Sequence, residues 1–515
     1  MSTGKICCLV LLTLGVLAVV VALVVILTQP KCGPQRYLHG AVAADTETCS
    51  VIGRDILKSG GTAVDAAIAG LICTSVMNPQ SSGLGGGVIF TIYNASTGTV
   101  EVINARETVP RVFPHDLLSG CSAHFLIGSH WIAVPGELRG YEEAHKRYGR
   151  LPWKALFEPT IKLLSEPLVI SPVLDKMIHH PNFSPCSLQC STRGETFRWP
   201  ALQQTLRAVA ENGAAAFYEG QIGKALVDDI KKAGSSISLE DLQAYKAEVS
   251  SALNITLNNH TTVFSPGPPM GGAVLMFILK ILEGKFLRGK GEQEKIMGRN
   301  GVGKPERVPK QQCDHAMHQD DELDHPYIRS RIDTRGDHPL NHYNLFESLY
   351  NNSYKSKGTS HISVLAADGS AVSATSTINY PFGSFVYSNQ TGIILNNELA
   401  DFCIANRSIK PGEHSYPQNK TQVTVGIVSL QAIINKLWFG YDLEHAISAP
   451  IMHTENDNIL FEEHFSEEVK NGLLGRGHKE KKAKFAMNVV QGISKEGKCI
   501  SAYSDKRKLG KSAGY

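Results

Sequence analysis

The chain has 515 residues, 42% of them hydrophobic, enough apolar surface for a large folded body. Its 51 basic and 48 acidic residues leave a formal charge of +3, too near balance to suggest a nucleic-acid partner. The 47 glycines and 24 prolines form no tandem repeat, and the composition is that of a globular protein. Residues 1–5 precede an apolar, uncharged run from Ile6 to Thr28, the length of one bilayer-spanning helix. That length, with Gln29-Pro30-Lys31 following in place of a small-residue cleavage site, predicts an uncleaved anchor rather than a signal peptide. Flanking charge leaves the orientation open, with Lys5 before the run and Lys31 and Arg36 after it. Asn-X-Ser/Thr triplets at Asn94, Asn182, Asn254, Asn259, Asn351, Asn389, Asn406 and Asn419 all follow the run. Their density predicts a glycosylated body outside the cell, and so a single-pass type II protein of the cell membrane. Cys7 and Cys8, at the cytoplasmic edge, are either buried or palmitoylated. The other nine cysteines then face an oxidising compartment, where their odd number leaves at least one unpaired within the chain.

Ala41 to Asp45 reads as a short strand. Thr62 to Met77 is apolar on most faces, the pattern of a buried helix. Gly83-Leu84-Gly85-Gly86-Gly87 opens a strand, Val88 to Tyr93; because it enters no helix it is not a dinucleotide loop, and its glycines serve tight turns or close packing. Val100 to Ile103 is a strand ending in Asn104-Ala105-Arg106-Glu107. An arginine at such an end either clamps a carboxylate with two parallel hydrogen bonds or makes a structural ion pair. After Val134-Pro135-Gly136, Glu137 to Tyr148 is an amphipathic helix, and Pro152-Trp153 begins another. Pro172 to Thr196 is loop-like, with Cys186 and Cys190 close enough for a local disulfide. Helical patterns return at Leu202 to Glu219 and Gln221 to Lys232, and Ser238 with Asp241 forms a capping-box start. Pro266 to Pro269 leads through Gly271-Gly272 into an apolar helix, Ala273 to Leu282.

Residues 284–335 are rich in charge, glycine and histidine with little apolar periodicity, the pattern of a long exposed linker. Gly298 to Lys304 has phosphate-loop spacing, but Pro305 stands where a Ser/Thr would bind magnesium, and no hydrophobic strand precedes it. Cys313, His315, His318 and His325, with Asp320 and Asp321, have zinc-ligand chemistry; a solvated acidic and histidine-rich loop is the simpler account.

Gly358 to Asn379 reads as a β-hairpin turning at Asp368-Gly369. Centred there, it pairs Thr359 with a residue near Thr377 and gathers two hydroxyls and the Asn379 amide at its open end. Were the Gly358–Thr359 bond cut, the new α-amine, with an unperturbed pKa of about 7.7–8.0, would serve as base for the Thr359 hydroxyl. Gly392 to Leu395 is a short apolar strand running into Asn396-Asn397-Glu398-Leu399-Ala400-Asp401, whose acids either hold an ammonium group or serve as turn residues. Val428 to Trp438 reads as a helix stopped by Phe439-Gly440, and short strands and helices alternate from there to Tyr515.

Ordered across the chain, these runs resemble the gamma-glutamyltransferase (glutathione hydrolase) family. The similarity is carried by Ala41 to Asp45, Gly83 to Gly87, Val102 to Glu107, Val134 to Gly140 and Gly149 to Trp153. It continues in the hairpin, Asn396 to Glu398, Leu437 to Asp442 and Ala513-Gly514-Tyr515, and spans about residues 30–283 and 336–515. Cys32 to Gln35, Cys73 to Ser75 and Asn78 to Gln80 look most like the leukotriene-acting branch. The resemblance implies an α/β (α+β) N-terminal-nucleophile hydrolase, a four-layer αββα sandwich needing no cofactor or metal, behind one transmembrane helix at 6–28. It implies self-cleavage into a large chain (29–358) and a small catalytic chain (359–515) that form a heterodimer. Thr359 is then the nucleophile, supported by Thr377; Arg106 takes the substrate α-carboxylate, Glu398 and Asp401 its ammonium, and Asn379 adds hydrogen bonds. Implied partners are glutathione, glutathione conjugates, leukotriene C4, and water or an amino acid or dipeptide as acceptor. The family's Ser-Ser-Met run and its Gly-Gly loop, whose amides form an oxyanion hole, have no counterpart between Asp401 and Gly440. Thr421-Gln422-Val423 resembles the family's segment just after that loop, and the charged stretch 284–335 replaces an expected helix. A second expectation is therefore a catalytically silent, membrane-tethered glycoprotein of the same ancestry that acts by binding.

Overall fold

The computed structural model describes residues 36–112, 127–179, 192–283, 358–402, 423–455, 458–481 and 489–515, with Leu17, Val19 and Cys32. Ten strands carry the architecture: β1 (Arg36–Tyr37), β2 (Ala41–Ala43), β3 (Gly87–Asn94), β4 (Thr99–Ala105), β5 (Glu248–Ser251), β6 (Thr359–Leu365), β7 (Ala371–Thr377), β8 (Gln491–Glu496), β9 (Cys499–Ser504) and β10 (Ala513–Gly514). They form a seven-stranded antiparallel sheet, ordered β10-β2-β6-β7-β3-β4-β5, and a three-stranded sheet, β1-β9-β8.

The expected hairpin is β6–β7, in the register Thr359↔Thr377 with Gly369 at the turn in a left-handed conformation. Period-2 alternation decides its two faces. Ile362 and Val364, with Val372 and Ala374, pack into the main core beneath α1 (Glu47–Lys58), α2 (Ala63–Met77) and α3 (Glu137–Tyr148). His361 and Ser363 point the other way, where the Ser363 hydroxyl donates to the Gln491 carbonyl of β8 at 2.9 Å. On that side β8 and β9 pack over β2 and β6. Outside them lies α6 (Leu443–Ser448), which packs on α5 (Val423–Leu437).

α2 is buried along nearly its whole length, as an apolar surface on every side requires, and starts on a reciprocal Thr62–Asp65 capping box. A disulfide, Cys49–Cys73, joins α1 to α2. α4 (Trp153–Leu163) covers α2 from outside.

Two expectations change. Pro172–Ile178, read as loop, is a helix: the Ser171 hydroxyl accepts from Leu174 N at 3.1 Å and Pro172 occupies its first turn, a start signal that a short helix makes easy to overlook. Gly392 to Leu395 makes isolated bridges, Gly85↔Leu395 and Tyr387↔Ile394, rather than a strand. One bridge goes to the glycine loop and the other to Tyr387, so no ladder extends from either. The apolar run 6–28, apart from Leu17 and Val19, lies outside the described residues, as do 284–335 and Cys186 with Cys190. No helix among the described residues is long and apolar enough to cross a membrane.

Candidate active site

Antiparallel register brings four strand ends to one place. Thr359 begins β6 opposite Thr377, the last residue of β7; Thr377 faces Gly87, the first of β3; and Val88 faces Ala105, the last of β4. Arg106 comes directly after. The glycine loop lets these ends approach. A Cβ on Gly86 would lie 2.0 Å from the Thr377 carbonyl oxygen, and one on Gly85 would lie 2.2 Å from that of Ile394.

At this edge both threonine hydroxyls reach the Gly358 carbonyl. Thr359 Oγ1 donates to it at 2.8 Å and Thr377 Oγ1 donates at 2.8 Å, with 3.2 Å between the hydroxyl oxygens. Asn379 N donates to Thr377 Oγ1 at 2.9 Å, which directs the Thr377 hydroxyl proton toward that carbonyl. Such a pair places a nucleophile beside the carbonyl of its own preceding peptide and a donor on the oxygen that becomes negative during attack. From the other side Lys508, paired with Asp45 at 3.2 Å, donates to the Thr359 carbonyl.

Asn379 adopts a left-handed backbone with φ of 72°, which asparagine tolerates, and so leaves the line of β7. Its amide nitrogen donates to Asn397 O at 3.2 Å and to Asp401 Oδ1 at 3.0 Å. The buried Asn396 carries this segment: its amide bonds Gly85 O at 2.8 Å and Ala133 O at 2.9 Å, and its oxygen accepts from Glu398 N at 2.9 Å. Glu398 is thereby held against Arg106, whose guanidinium donates to its carboxylate. The same guanidinium lies 3.8 Å from Glu107 and 4.0 Å from Asp401.

Three carboxyls thus surround one partly buried arginine. Burial opposes the Arg106 charge, but Glu398, Glu107 and Asp401 outweigh it and raise its pKa further. Burial raises Glu107 to about 7 against the pull of Arg106. Glu398 is also raised, by burial and by Glu107 and Asp401, with Arg106 opposing. An incoming α-amino-acid head would suit this cluster, its carboxylate taking the arginine fork and its ammonium relieving the crowded acids.

All six residues expected at the site, Arg106, Thr359, Thr377, Asn379, Glu398 and Asp401, meet at this sheet edge. Sequence reasoning missed Glu107 and Glu137 as site groups. Burial raises Glu137 to about 8, opposed by the Tyr141 hydroxyl, which donates to its carboxylate. Its backbone N and that of Gly136 both donate to Gly86 O, at 3.1 and 2.9 Å, so the Pro-Gly-Glu turn buttresses the glycine loop. The acid beside Arg106 was visible in sequence, but nothing there showed that it would be desolvated. His361 was also missed. Burial, aided by Lys508 and opposed by Asp45, lowers it to about 4. A cavity of about 570 Å³ opens beside Thr359 and His361, within the size range of small-molecule sites. Its walls include Phe264, Met270, Leu275, Ile433, Leu437 and Ile447.

The sequence profile described as Gamma-glutamyltranspeptidase matches residues 49–424 and 423–515. Over 571 aligned positions the chain is 45% identical to the glutathione hydrolase 5 proenzyme of Homo sapiens, covering 96% of each protein. It is 44% identical to that of Rattus norvegicus, covering 99% of this chain and 98% of the other. It is 33% identical to scoloptoxin SSD14 of Scolopendra dehaani, covering 92% of each. Among solved structures, cephalosporin acylase from Bacillus halodurans superposes with a TM-score of 0.72 at 20% identity, over 95% of this chain and 99% of that one. At that identity the likeness is one of fold.

Proposed function

The chain belongs to the gamma-glutamyltranspeptidase family, and from that premise we propose that it is a self-cleaving γ-glutamyl hydrolase and transferase of the N-terminal-nucleophile type, built on a four-layer αββα plan. The observation that carries this reading is the pair of hydroxyls, Thr359 and Thr377, each 2.8 Å from the Gly358 carbonyl oxygen. In the first step Thr359 Oγ1 attacks the Gly358 carbonyl carbon, the C–N bond breaks, and the proton passes to the departing Thr359 nitrogen. Water then hydrolyses the ester to leave a Gly358 carboxylate and a free Thr359 amine. That amine becomes the base for the adjacent hydroxyl.

In turnover, Arg106 receives the α-carboxylate of a γ-glutamyl group, while Glu398, Asp401 and Asn379 receive its ammonium. Thr359 attacks the γ-amide to give a γ-glutamyl ester, and the amine leaving group departs protonated. Water or the amine of an amino acid or dipeptide then takes the γ-glutamyl group. We assign glutathione as substrate, together with glutathione S-conjugates such as leukotriene C4. The cavity beside Thr359 supports the conjugates, because its aliphatic and aromatic walls suit an apolar substituent. The apolar run 6–28 and the sequons support a position on the outer face of the cell membrane in this reading.

A second reading is a silent binding glycoprotein. It is favoured by the absence of Ser-Ser-Met and Gly-Gly runs between Asp401 and Gly440. The 571-position alignment with the Homo sapiens relative, longer than this whole chain, also fits the loss of segments. Loss of one oxyanion donor costs on the order of 10²–10³ in rate. A reducing gel with N-terminal sequencing separates the two readings. A fragment beginning at Thr359 supports the enzyme; an uncut chain at full mobility leaves only the binder.

A further inference from the structure

We propose that the two chains made by self-cleavage remain covalently joined through Cys32–Cys499, so that the mature protein is a disulfide-linked heterodimer. This rests on the cleavage reading above and goes beyond it. The two cysteines are 467 residues apart in sequence, with Cα atoms 5.7 Å apart, and the proposed cut after Gly358 falls between them. The other bridge, Cys49–Cys73, lies wholly on the N-terminal side of that cut. All four cysteines among the described residues are thus in bridges, and one bridge spans the cleavage point.

The backbone around Cys499 also joins the two sides of the cut. β1 pairs with β9 in the register Arg36↔Ser501 and Tyr37↔Ile500, so backbone from the N-terminal side of the cut is hydrogen-bonded beside Cys499, the first residue of β9. Tyr37 packs on the cluster of Ala41, Ile500 and Ala502. The carbonyl oxygen of Tyr515 accepts from Leu38 N at 3.2 Å and His39 N at 2.8 Å. Residues on both sides of the cut therefore share both sheets, and the disulfide adds a covalent link beside the smaller one. Bridge formation oxidises two thiols to one S–S bond. Their two protons are released, and their two electrons pass by exchange to a disulfide-carrying oxidant of the secretory compartment.

The bridge changes what cleavage does to stability. In the uncut chain it closes a very long loop and restrains the unfolded state. In the cut protein it keeps both chains in one molecule, so separation is no longer favoured by dilution.

The test uses the full chain expressed through an oxidising secretory compartment and taken from the membrane fraction, with free thiols alkylated before denaturation. Without reductant the wild type is expected to run as one band; with reductant it gives two, the smaller beginning at Thr359. Cys499→Ser is expected to give two bands under both conditions. Peptide mapping without reduction is expected to find the Cys32 peptide joined to the Cys499 peptide. Two wild-type bands without reductant, or alkylated Cys32 and Cys499 in the map, overturn the proposal. One band under both conditions overturns the cleavage and with it the heterodimer, while the same map still reads the bridge itself. The map needs no variant, so a poorly folding Cys499→Ser leaves the test intact.

Discussion

The two halves of the candidate site are built by different physics. The nucleophile half, Gly358, Thr359 and Thr377, is neutral and is positioned by one hairpin whose register is set by a tight turn. The anchor half, Arg106, Glu107, Glu398 and Asp401, is charged and partly or wholly buried, and its central pair is 292 residues apart in sequence. Hydroxyls tolerate small shifts, because each donates about as well to a neighbouring acceptor. A partly buried guanidinium beside three carboxyls does not, because any charge left without a partner carries a desolvation cost. The first half should therefore fail through chemistry when altered, and the second through binding and folding.

The largest expected effect tests the nucleophile half. Thr359→Ala should abolish the cut and lower any γ-glutamyl transfer by on the order of 10⁶, measured by reducing gel and single-turnover assay. It should leave Arg106 and its acids in place, so the precursor should still fold. Arg106→Lys probes the other half. It keeps a charge but loses the planar fork, with an expected loss of about 2–5 kcal/mol in substrate binding, seen mainly as a higher KM. An unchanged KM would detach Arg106 from the substrate carboxylate. Thr377→Val removes one donor from the Gly358 carbonyl and should slow self-cleavage by on the order of 10², tracked as the rate of precursor loss. Thr377→Ser should restore most of that rate. If Thr377→Val cuts at the wild-type rate, the hydroxyl only packs.

The smallest effect concerns Glu137, which sits beneath both halves. Its folded pKa is raised to about 8, against an unfolded value of about 4.3. Between these values the folded protein keeps a proton that the unfolded chain has lost. Its contribution to stability therefore falls as pH rises through that window, by up to about 1.4 kcal/mol per pH unit. Glu137→Gln, placed in the uncut Thr359→Ala background so that one chain unfolds, should flatten the slope between pH 5 and 8 in denaturant titrations. An unchanged slope assigns it to other groups, Glu107 among them.

Legibility in the sequence divides along the same line. Asp368-Gly369 and the flanking alternation were enough to pair Thr359 with Thr377, because a two-residue turn sets every rung of a short ladder. The capping box at Ser238 likewise marked the start of its helix. Arg106, Glu398 and Asp401 could be singled out locally, but only family resemblance favoured a binding role over the ordinary ones that strand ends and paired acids usually have. Glu107 and Glu137 passed as unremarkable acids because their distinction is burial, which no local pattern displays.

By itself, then, the sequence determined the hairpin, the helix starts and the two hydroxyls at the hairpin's mouth, all settled by hydrogen bonds between near neighbours in the chain. Only the tertiary structure decided that Arg106 would be enclosed by three acids, that Lys508 would reach the Thr359 carbonyl, and that Cys32 would meet Cys499. Those contacts join distant segments, and their energies come from desolvation and packing, which exist only once the sheets have closed over them.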